Sequence, residues 1–333
     1  MASANRGEAC DVVCLRPRED FLKVDVTPPT SLSICYLSPD DSNLQAQLAE
    51  ARALLVPAVG PALPADLFAE SRIELVQVTG AGVDRLDADA MQAQGIAVAN
   101  VPGGSSAAIA EYAVSTALCL FRRTVWADAE LARGNYVEAR KRMVADNLAG
   151  VEGLTVGVIG LGIIGMAVAQ AFHGLGGSIV YHDPAPGDPQ LVSRLDATAL
   201  TLSELLECAD VVTVHVPLLP ATQAMLGEGE LAQMKTGAIL INAARGGIVD
   251  ETALAASLAS GHLGGAAVDV YASEPPAPDN PLFLLENEPR SRLLLSPHIA
   301  GVTRQSWAFL FRSAWQNVER VLVQGEPPAN RVL

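Results

Sequence analysis

One glycine-rich stretch of the sequence has residue types and a spacing that suit phosphate binding. Gly160, Gly162 and Gly165 form a G-x-G-x-x-G pattern between the apolar run TVGVI and the helix-like run MAVAQAF. In a strand–turn–helix unit, the first glycine permits the tight turn, the second lets a pyrophosphate approach the backbone, and the third allows close helix–strand packing. The free N–H groups and the dipole of the helix N-terminus attract phosphate. The pattern therefore predicts a dinucleotide site.

An acidic residue follows at the place where such a site would use one. Asp183 ends the next apolar run, IVYHDP, 18 residues after Gly165. A carboxylate there can accept hydrogen bonds from the adenosine ribose and would repel a 2′-phosphate. The next residues are Pro184 and Ala185, not arginine. The expected cofactor is therefore NAD rather than NADP, and a capping role for Asp183 is the less favoured alternative.

Three polar residues follow later apolar runs, where ligands of open α/β sheets gather. Arg245 lies in NAARGG, Glu274 in YASEPP and His298 in LSPHIAG. A forked guanidinium can bind a carboxylate and a carbonyl oxygen together. A histidine whose tautomer and protonated form are favoured by a carboxylate can donate a proton. Each residue alone also fits a structural role, but together they predict the reduction of a 2-oxo acid, with Arg245 stabilising charge on oxygen.

Two further residues are candidates for the same site. Asp269 lies inside the apolar run AAVDVY, and a buried carboxylate needs a partner. His215 ends the run VTVHV and is expected to line the cofactor site.

The elements that must position these residues follow from alternating apolar and helix-like segments. In the first hundred residues the predicted strands lie at 12–15, 33–37, 53–57, 75–78 and 96–101, with helix-like segments at 41–51 and 87–95. Later strands are predicted at 154–160, 178–182, 211–216, 238–242, 265–270 and 292–296, and helices at 163–175, 202–208, 228–234 and 251–260. This alternation predicts an α/β fold with doubly wound parallel sheets.

Three other segments connect or complete these series. The segment 105–123 is too apolar on all sides for a surface helix and is expected to lie against another domain or subunit. Residues 122–146 carry mixed charges and end the first region. A final helix is predicted at 303–323, carrying Trp307, Phe311 and Trp315.

Composition and charge limit the classes of function. The 333 residues include 22 Lys and Arg against 37 Asp and Glu, for a net charge of −15. Such an acidic chain lacks the basic surface that nucleic acids or anionic membranes require. Residues 153–182 contain no charged side chain over 30 residues, but their eight glycines favour a buried strand–turn–helix over a membrane span.

The cysteines and the N-terminus indicate the compartment. Five cysteines, an odd number, are interpreted as reduced thiols of a cytoplasmic protein. Cys10 and Cys14 lack a second pair or a nearby histidine, so no metal site is expected. The first residues show no secretory signal pattern.

The ordered set of motifs resembles the D-isomer-specific 2-hydroxyacid dehydrogenase family. The matching segments are GAGVD, NVPGGSSAAIAEYA, GVIGLGIIG, YHDP, NAARGGIVDE, AAVDVYASEP and SPHIAG. They cover residues from about 75 to 320 in the family's order, whereas agreement before residue 50 is poor. The resemblance implies two domains with an NAD-filled cleft: a flavodoxin-like substrate domain at 1–103 plus 300–333, and a Rossmann NAD-binding domain at 104–299. It also implies a homodimer formed through the region 105–150.

The resemblance also implies residue roles. The catalytic set falls on Arg245, Glu274 and His298. The substrate is contacted by Arg245, by His298 and by the loop Val78, Thr79, Gly80, Ala81 and Gly82, whose backbone N–H groups would hold its carboxylate. The implied cofactor-binding residues are Gly160, Gly162, Ile163, Ile164, Gly165, Asp183, His215, Pro217, Ala243, Ala244, Arg245, Asp269, His298, Ala300 and Gly301.

Departures from the family pattern narrow the substrate. Members that act on 3-phosphoglycerate often carry Arg where this chain has Val78, formate-oxidising relatives have Gln in place of Glu274, and phosphite-oxidising relatives have Lys near Ala81. A small unphosphorylated 2-oxo acid such as glyoxylate or hydroxypyruvate is therefore expected. The alternatives are 3-phosphoglycerate dehydrogenase, a non-enzymatic NAD-sensing scaffold like the corepressors of this superfamily, and a glycine-loop methyltransferase.

Overall fold

The chain divides into two compact units in a computed structural model that describes residues 9–146, 148–185 and 187–333. The first unit comprises Met1–Ser105 and Val302–Leu333, and the second unit comprises Ser106–Gly301. The chain passes from one unit to the other after residues 105 and 301, which is two residues later than the predicted boundaries after 103 and 299. The assignment of the first unit to the substrate remains a prediction.

The first unit is built on a five-stranded parallel sheet. Its strands are β1 (Val12–Cys14), β2 (Ile34–Tyr36), β3 (Ala53–Val56), β4 (Leu75–Val78) and β5 (Ala97–Ala99). The strand order is β2-β1-β3-β4-β5, and every pairing is parallel. This 2-1-3-4-5 order is that of flavodoxin-like folds, so the predicted flavodoxin-like sheet is confirmed. Its early helices are α1 (Arg18–Leu22), α2 (Leu44–Glu50) and α3 (Ala88–Ala93), with a 3-10 turn at Ala65–Phe68.

Alternation along the strands gives this sheet two apolar faces. In β1, Val12 and Cys14 belong to one core cluster, and Val13 between them belongs to the other. Because successive side chains of a strand point to opposite faces, both faces must be covered. The helix at Arg304–Leu322 covers one of them, and its Phe311 ring lies 4.8 Å from the Phe21 ring. The prediction of a C-terminal helix is confirmed.

The second unit is built on a seven-stranded parallel sheet. Its strands are β6 (Thr155–Ile159), β7 (Ser178–His182), β8 (Thr198–Ala199), β9 (Val211–Val214), β10 (Ile239–Asn242), β11 (Gly265–Val268) and β12 (Leu293–Leu295). The strand order is β12-β11-β10-β9-β6-β7-β8, with β6 paired to β7 on one side and to β9 on the other. This is the Rossmann order with a seventh strand, and its topological switch point lies between β6 and β9.

Helices cover both faces of the second sheet. They are α4 (Ser106–Phe121), α5 (Thr124–Ala132), α6 (Tyr136–Ala145), α7 (Ile163–Gly174), α8 (Pro189–Arg194), α9 (Leu202–Cys208), α10 (Glu228–Gln233), α11 (Glu251–Ser260) and α12 (Asn287–Ser291). The last helix of the chain, at Arg304–Leu322, is α13. The sequence interpretation missed α1 in the first unit and α5, α6, α8, β8 and α12 in the second. The pair α5–α6 has almost no buried face, so its apolar periodicity is weak.

The buried face of the apolar helix α4 packs within its own unit. Packing of this helix against another domain or subunit remains a prediction. Ile109, Ala113 and Ala117 belong to the same core cluster as Val156 and Ile241 of the sheet. Small residues on this face allow the helix to approach α7 closely.

The uncharged stretch 153–182 forms β6, α7 and β7, as predicted. Within the described residues, no helix is long and apolar enough to cross a membrane.

Candidate functional site

The predicted cofactor and catalytic residues of the second unit lie on one edge of its sheet. All strands of this sheet run parallel, so their carboxyl ends share an edge, and ligands of such sheets bind there. Each predicted segment begins just after a strand ends: Gly160 after β6, Asp183 after β7, His215 and Pro217 after β9, Ala243, Ala244 and Arg245 after β10, Asp269 after β11, and His298, Ala300 and Gly301 after β12.

The glycine turn between β6 and α7 has the geometry that its sequence predicts. Gly160 has φ +89°, and a Cβ there would lie 2.9 Å from the carbonyl oxygen of His215. A Cβ at Gly165 would lie within 1.9 Å of the Gly160 carbonyl oxygen. Gly162 differs, because a Cβ there would meet nothing within 4 Å. Two glycines are thus required by packing, and the middle one faces open space.

This open space fits the phosphates of a dinucleotide. Gly162 is the N-cap of α7 and, in the described chain, no side chain caps this helix. The first-turn N–H groups therefore keep their hydrogen-bonding capacity, beside the positive end of a twelve-residue helix. Ile163, in that first turn, is 62% exposed and offers an apolar contact. The residues present fit NAD: the turn would hold its pyrophosphate.

Asp183 is tied to the same turn. Its Oδ2 accepts a hydrogen bond from Leu161 N at 2.7 Å, and its Oδ1 accepts one from Ala185 N at 2.8 Å. Each carboxylate oxygen has a second acceptor position. The backbone bonds therefore orient the carboxylate beside the glycine turn and leave capacity for two ribose hydroxyls.

His215 lies across the switch point from the glycine turn. Its Nε2 is 2.8 Å from Thr213 Oγ1, while its buried Nδ1 has no partner among the described residues. Burial lowers the pKa of His215 from 6.5 to about 3, so the ring is neutral at physiological pH. Pro217, two residues further on, is exposed.

Glu274 and His298 are in direct contact. Glu274 Oε2 lies 2.8 Å from His298 Nδ1, and Glu274 Oε1 accepts a hydrogen bond from Tyr271 N at 3.1 Å. A carboxylate can only accept, so Nδ1 must carry a proton, and the reactive role falls to Nε2. His298 has φ +53°, a left-handed conformation that is uncommon for residues other than glycine. Such strain is found mainly where a function or the surrounding structure requires it.

Asp269 holds the turn that carries His298. It is 1% exposed, and its carboxylate accepts hydrogen bonds from Ile299 N at 2.9 Å and from Ala300 N at 2.8 Å. Its backbone oxygen accepts from His298 N at 2.8 Å. These bonds satisfy a buried carboxylate and fix the backbone on both sides of the histidine.

Sequence reasoning missed two hydroxyl residues that complete this arrangement. Ser296 Oγ donates to Asp269 Oδ1 at 2.5 Å and lies 2.7 Å from the Tyr112 hydroxyl. Since the serine has only one proton to donate, the Tyr112 hydroxyl is the donor to Ser296. Burial raises the pKa of Tyr112 to about 12, so this proton is retained. The sequence did indicate that a buried Asp269 requires hydrogen-bond donors, but it does not show which residues supply them.

Arg245 lies on a turn that packs against the Glu274 segment. Its Nη1 donates to Ala244 O at 2.8 Å, and Asn242 Nδ2 donates to the Arg245 carbonyl oxygen at 3.2 Å. A Cβ at Gly246 would lie 1.7 Å from the carbonyl oxygen of Tyr271, so only glycine permits this contact. The structure thus brings the Arg245 turn against the loop that continues to Glu274.

The predicted substrate loop, residues 78–82, lies in the first unit at the carboxyl end of β4. Thr79 N donates to Val56 O at 2.8 Å, and the Gly80 carbonyl oxygen accepts from Val101 N at 2.9 Å. Asn100 Nδ2 donates to Ala81 O at 2.7 Å. The loop is therefore anchored to the last residue of β3 and to the residues that follow β5. Its role in carboxylate binding remains a prediction.

Fold and site together define a dinucleotide-binding α/β protein with a histidine–carboxylate pair. The family model "D-isomer specific 2-hydroxyacid dehydrogenase, NAD binding domain" matches residues 114–300. The chain belongs to this family of NAD-linked oxidoreductases, which confirms the resemblance and the expected cofactor.

Comparisons with individual proteins agree on the fold. The D-3-phosphoglycerate dehydrogenase of Archaeoglobus fulgidus is 37% identical over 238 residues, which cover 72% of this chain and 43% of that protein. The chain spans about half the length of the curated relatives it matches. The TT0316 protein of Thermus thermophilus is 30% identical with a TM-score of 0.80, covering 97% of this chain and 99% of that one. The apo D-mandelate dehydrogenase of Rhodotorula graminis is 27% identical with a TM-score of 0.81, covering 97% of both chains.

Proposed function

We propose that this chain transfers a hydride between NAD(H) and a small unphosphorylated D-2-hydroxy or 2-oxo acid, such as glyoxylate or hydroxypyruvate. The observation that carries the proposal is the 2.8 Å contact between Glu274 and His298, at the edge of the sheet where a dinucleotide fits. A histidine held in this way is a proton donor and acceptor, which is the group that interconversion of a carbonyl and an alcohol requires.

Each residue of the site has a distinct part in this reaction. NAD, held by the glycine turn and Asp183, would accept or supply the hydride. Arg245 binds the substrate carboxylate and carbonyl oxygen, and its charge stabilises the negative charge that develops on that oxygen. His298 Nε2 gives a proton to the oxygen during reduction and takes it back during oxidation. Glu274 keeps the ring in the required tautomer.

The test of this proposal combines a substrate panel with a matched pair of variants. Purified protein is assayed with NADH and NADPH against glyoxylate, pyruvate, hydroxypyruvate and its phosphorylated analogue. Arg245→Ala should reduce kcat/KM by about 100-fold or more, as expected for loss of an oxyanion-stabilising cation, with the Kd for NADH unchanged. The exposed Arg194 provides the control, since Arg194→Ala should keep normal rates. Near-normal turnover by Arg245→Ala would refute the assigned role.

A second candidate is 3-phosphoglycerate dehydrogenase activity. Its support is the name of the curated relatives, which are 34–37% identical to this chain. Faster reduction of the phosphorylated analogue than of hydroxypyruvate would favour it. NADH binding without turnover of any acid would instead favour an NAD-sensing scaffold.

We also propose that the protein acts as a cytoplasmic homodimer. Support for the dimer comes from the α5–α6 pair, which exposes large apolar side chains that a monomer rarely leaves in water: Val125, Leu131, Tyr136, Val137 and Val144. Support for the location comes from the five cysteines, all of which are free thiols. Cell fractionation would test the location.

A further inference from the structure

Two loops of the first unit lie side by side at the carboxyl edge of its sheet. Residues 57–61 follow β3, and residues 78–82 begin at the last residue of the neighbouring strand β4. A Cβ on Gly80 would lie only 2.7 Å from the Cβ of Ala58, so the two loops touch through a position that admits no side chain. Ligands of open α/β sheets bind outside this edge. The loop 57–61 therefore borders the loop that is predicted to hold the substrate carboxylate.

A buried guanidinium holds the first of these loops. Arg85 is 6% exposed, and it donates from Nε to Pro61 O at 2.8 Å and from Nη1 to Pro57 O at 2.9 Å and Val59 O at 3.3 Å. Its own carbonyl oxygen accepts a hydrogen bond from Leu63 N at 2.8 Å. One side chain thus gathers three carbonyl groups of a five-residue loop, which fixes the loop's curvature.

Gly60 shows how closely the loop fits around this side chain. A Cβ on Gly60 would lie 3.0 Å from Arg85 Cζ, and the glycine has φ +136°, which residues with side chains rarely adopt. Both observations require glycine at this position. The loop and the guanidinium therefore form one packed unit.

Backbone carbonyl groups bind the guanidinium of Arg85. Among the described residues Arg85 makes no ion pair, and burial lowers its pKa below the ordinary value for arginine. Guanidinium nevertheless remains charged in proteins, so the backbone carbonyls must replace both water and a counterion. A buried cation that binds only backbone is costly, and it is retained here at the edge where ligands bind.

The outward side of the two loops carries no charge. Residues 57–62 are Pro-Ala-Val-Gly-Pro-Ala and residues 78–83 are Val-Thr-Gly-Ala-Gly-Val, with Val59 45% exposed. Such a surface offers backbone N–H groups to a carboxylate and apolar contacts to a substituent. It offers no cationic side chain to a phosphate, which arginine or lysine usually binds.

We propose that Arg85 is a positioning residue that holds residues 57–61 as an uncharged wall of the substrate site, so that the preferred 2-oxo acid carries an uncharged substituent. This inference rests on the proposed function, and it adds the class of substituent and the residue that maintains the wall. Arg85 acts through the loop and does not itself touch the substrate.

The first experiment measures wild-type kinetics with pairs of acids that differ in charge. NADH oxidation is followed with 2-oxobutyrate, hydroxypyruvate and 3-phosphonooxypyruvate. The wall predicts kcat/KM at least about tenfold higher for the two uncharged substituents than for the phosphorylated one. The exposed Val59 gives a variant that leaves Arg85 in place: Val59→Arg should raise the phosphorylated-to-unphosphorylated ratio about tenfold. Preference of the wild type for the phosphorylated acid would overturn the proposal.

The second experiment removes the Arg85 guanidinium that holds residues 57–61. Arg85→Gln should raise KM for the oxo acid at least about tenfold, because the wall loses its position, while kcat and the KM for NADH stay within about threefold. The KM of Arg85→Lys for the oxo acid should lie between those of the wild type and Arg85→Gln, since one ammonium group can still donate to these carbonyls. The control is Arg72→Gln, at a side chain that is 71% exposed, which should match the wild type. A purely structural role would lower the yield and Tm without this split between KM and kcat.

A binding measurement separates this proposal from the proposed function. Calorimetry with oxamate, an unreactive analogue of a 2-oxo acid, is performed on the NADH-loaded full chain. Arg85→Gln should weaken oxamate binding at least about tenfold relative to both the wild type and Arg72→Gln. Equal oxamate affinities of Arg85→Gln and the wild type, or no oxamate binding by the wild type, would overturn the proposal that Arg85 holds a wall of the substrate site. A wild type that binds oxamate but reduces no acid would contradict only the proposed function.

Discussion

Replacing Glu274 with glutamine changes one atom of the proposed proton-transfer pair and should strongly slow the reaction. The Glu274 carboxylate accepts two hydrogen bonds, from His298 Nδ1 at 2.8 Å and from Tyr271 N at 3.1 Å. An amide has a single oxygen, so in Glu274→Gln its NH₂ group must face one of these two donors. If the oxygen stays with the backbone N–H, the imidazole loses both its acceptor and the neighbouring negative charge.

The magnitude follows from the type of bond that is lost. A hydrogen bond to a charged group contributes about 1.5–3 kcal/mol. The His298 and Glu274 side chains are 24% and 29% exposed, so water replaces part of the loss and the lower part of this range applies. About 1.5–2 kcal/mol in the barrier corresponds to a decrease in kcat of about 13- to 30-fold. The Kd for NADH should stay unchanged, because the glycine turn and Asp183 are untouched.

A double-variant comparison distinguishes this role from a general loss of structure. His298→Gln removes the proton donor and should cost about 100-fold or more. If Glu274 acts only by orienting His298, adding Glu274→Gln to that variant should cost nothing further. Glu228→Gln, at an exposed position of α10, is the matched control for the chemical change. A kcat within about threefold of wild type for Glu274→Gln, or additive losses in the double variant, would refute the reasoning.

Two other predictions concern stability and assembly. Burial lowers the pKa of His215 to about 3, so below its unfolded-state value near 6.5 only the unfolded chain takes up this proton, and stability falls as pH decreases. Between pH 6.5 and 5 this amounts to about 1.6 kcal/mol, and denaturant titrations at both pH values should show His215→Gln to be less acid-sensitive than wild type or the exposed-site control His173→Gln. For the dimer, sedimentation equilibrium should give a mass twice the 34.7 kDa of one chain. Val144 is 67% exposed on α6, and Val144→Asp should lower the measured mass towards that of one chain. Unchanged acid sensitivity in the first case, or a single-chain mass for the wild type in the second, would contradict these expectations.

The sequence was informative wherever a local pattern has one physical explanation. The glycine turn is an example, because Gly160 and Gly165 are each required by a backbone contact that a Cβ would violate. The strands were also predictable, since short apolar runs between helix-like segments have few stable arrangements other than a parallel sheet. The resemblance placed Glu274 and His298 in one catalytic set, and the structure shows the pair in contact.

Features that depend on long-range contacts were not predictable in this way. Tyr112 and Ser296 are 184 positions apart, and neither has a local signal that it donates towards Asp269. The role of Arg85 was missed for the same reason. In the sequence, an arginine after GAGVD resembles a surface residue, and its burial depends on contacts with the distant loop 57–61. The α5–α6 pair was missed because solvent-exposed helices lack the apolar periodicity on which such predictions depend.

The family match and the uncharged loops of the first unit bear on different parts of the proposed reaction. The family model matches residues 114–300, which contain Arg245, Glu274 and His298 together with the whole glycine turn. In the proposed reaction these groups act on the carboxylate, the carbonyl and the hydride, which every 2-hydroxy acid shares. A substituent at the next carbon must be recognised by other residues, and 57–61 lie outside the match. Hydride transfer can therefore be retained while the substituent changes, because a phosphate requires a cation that these loops do not provide. The family match thus bears on the chemistry of the proposed reaction and not on the substituent of the substrate.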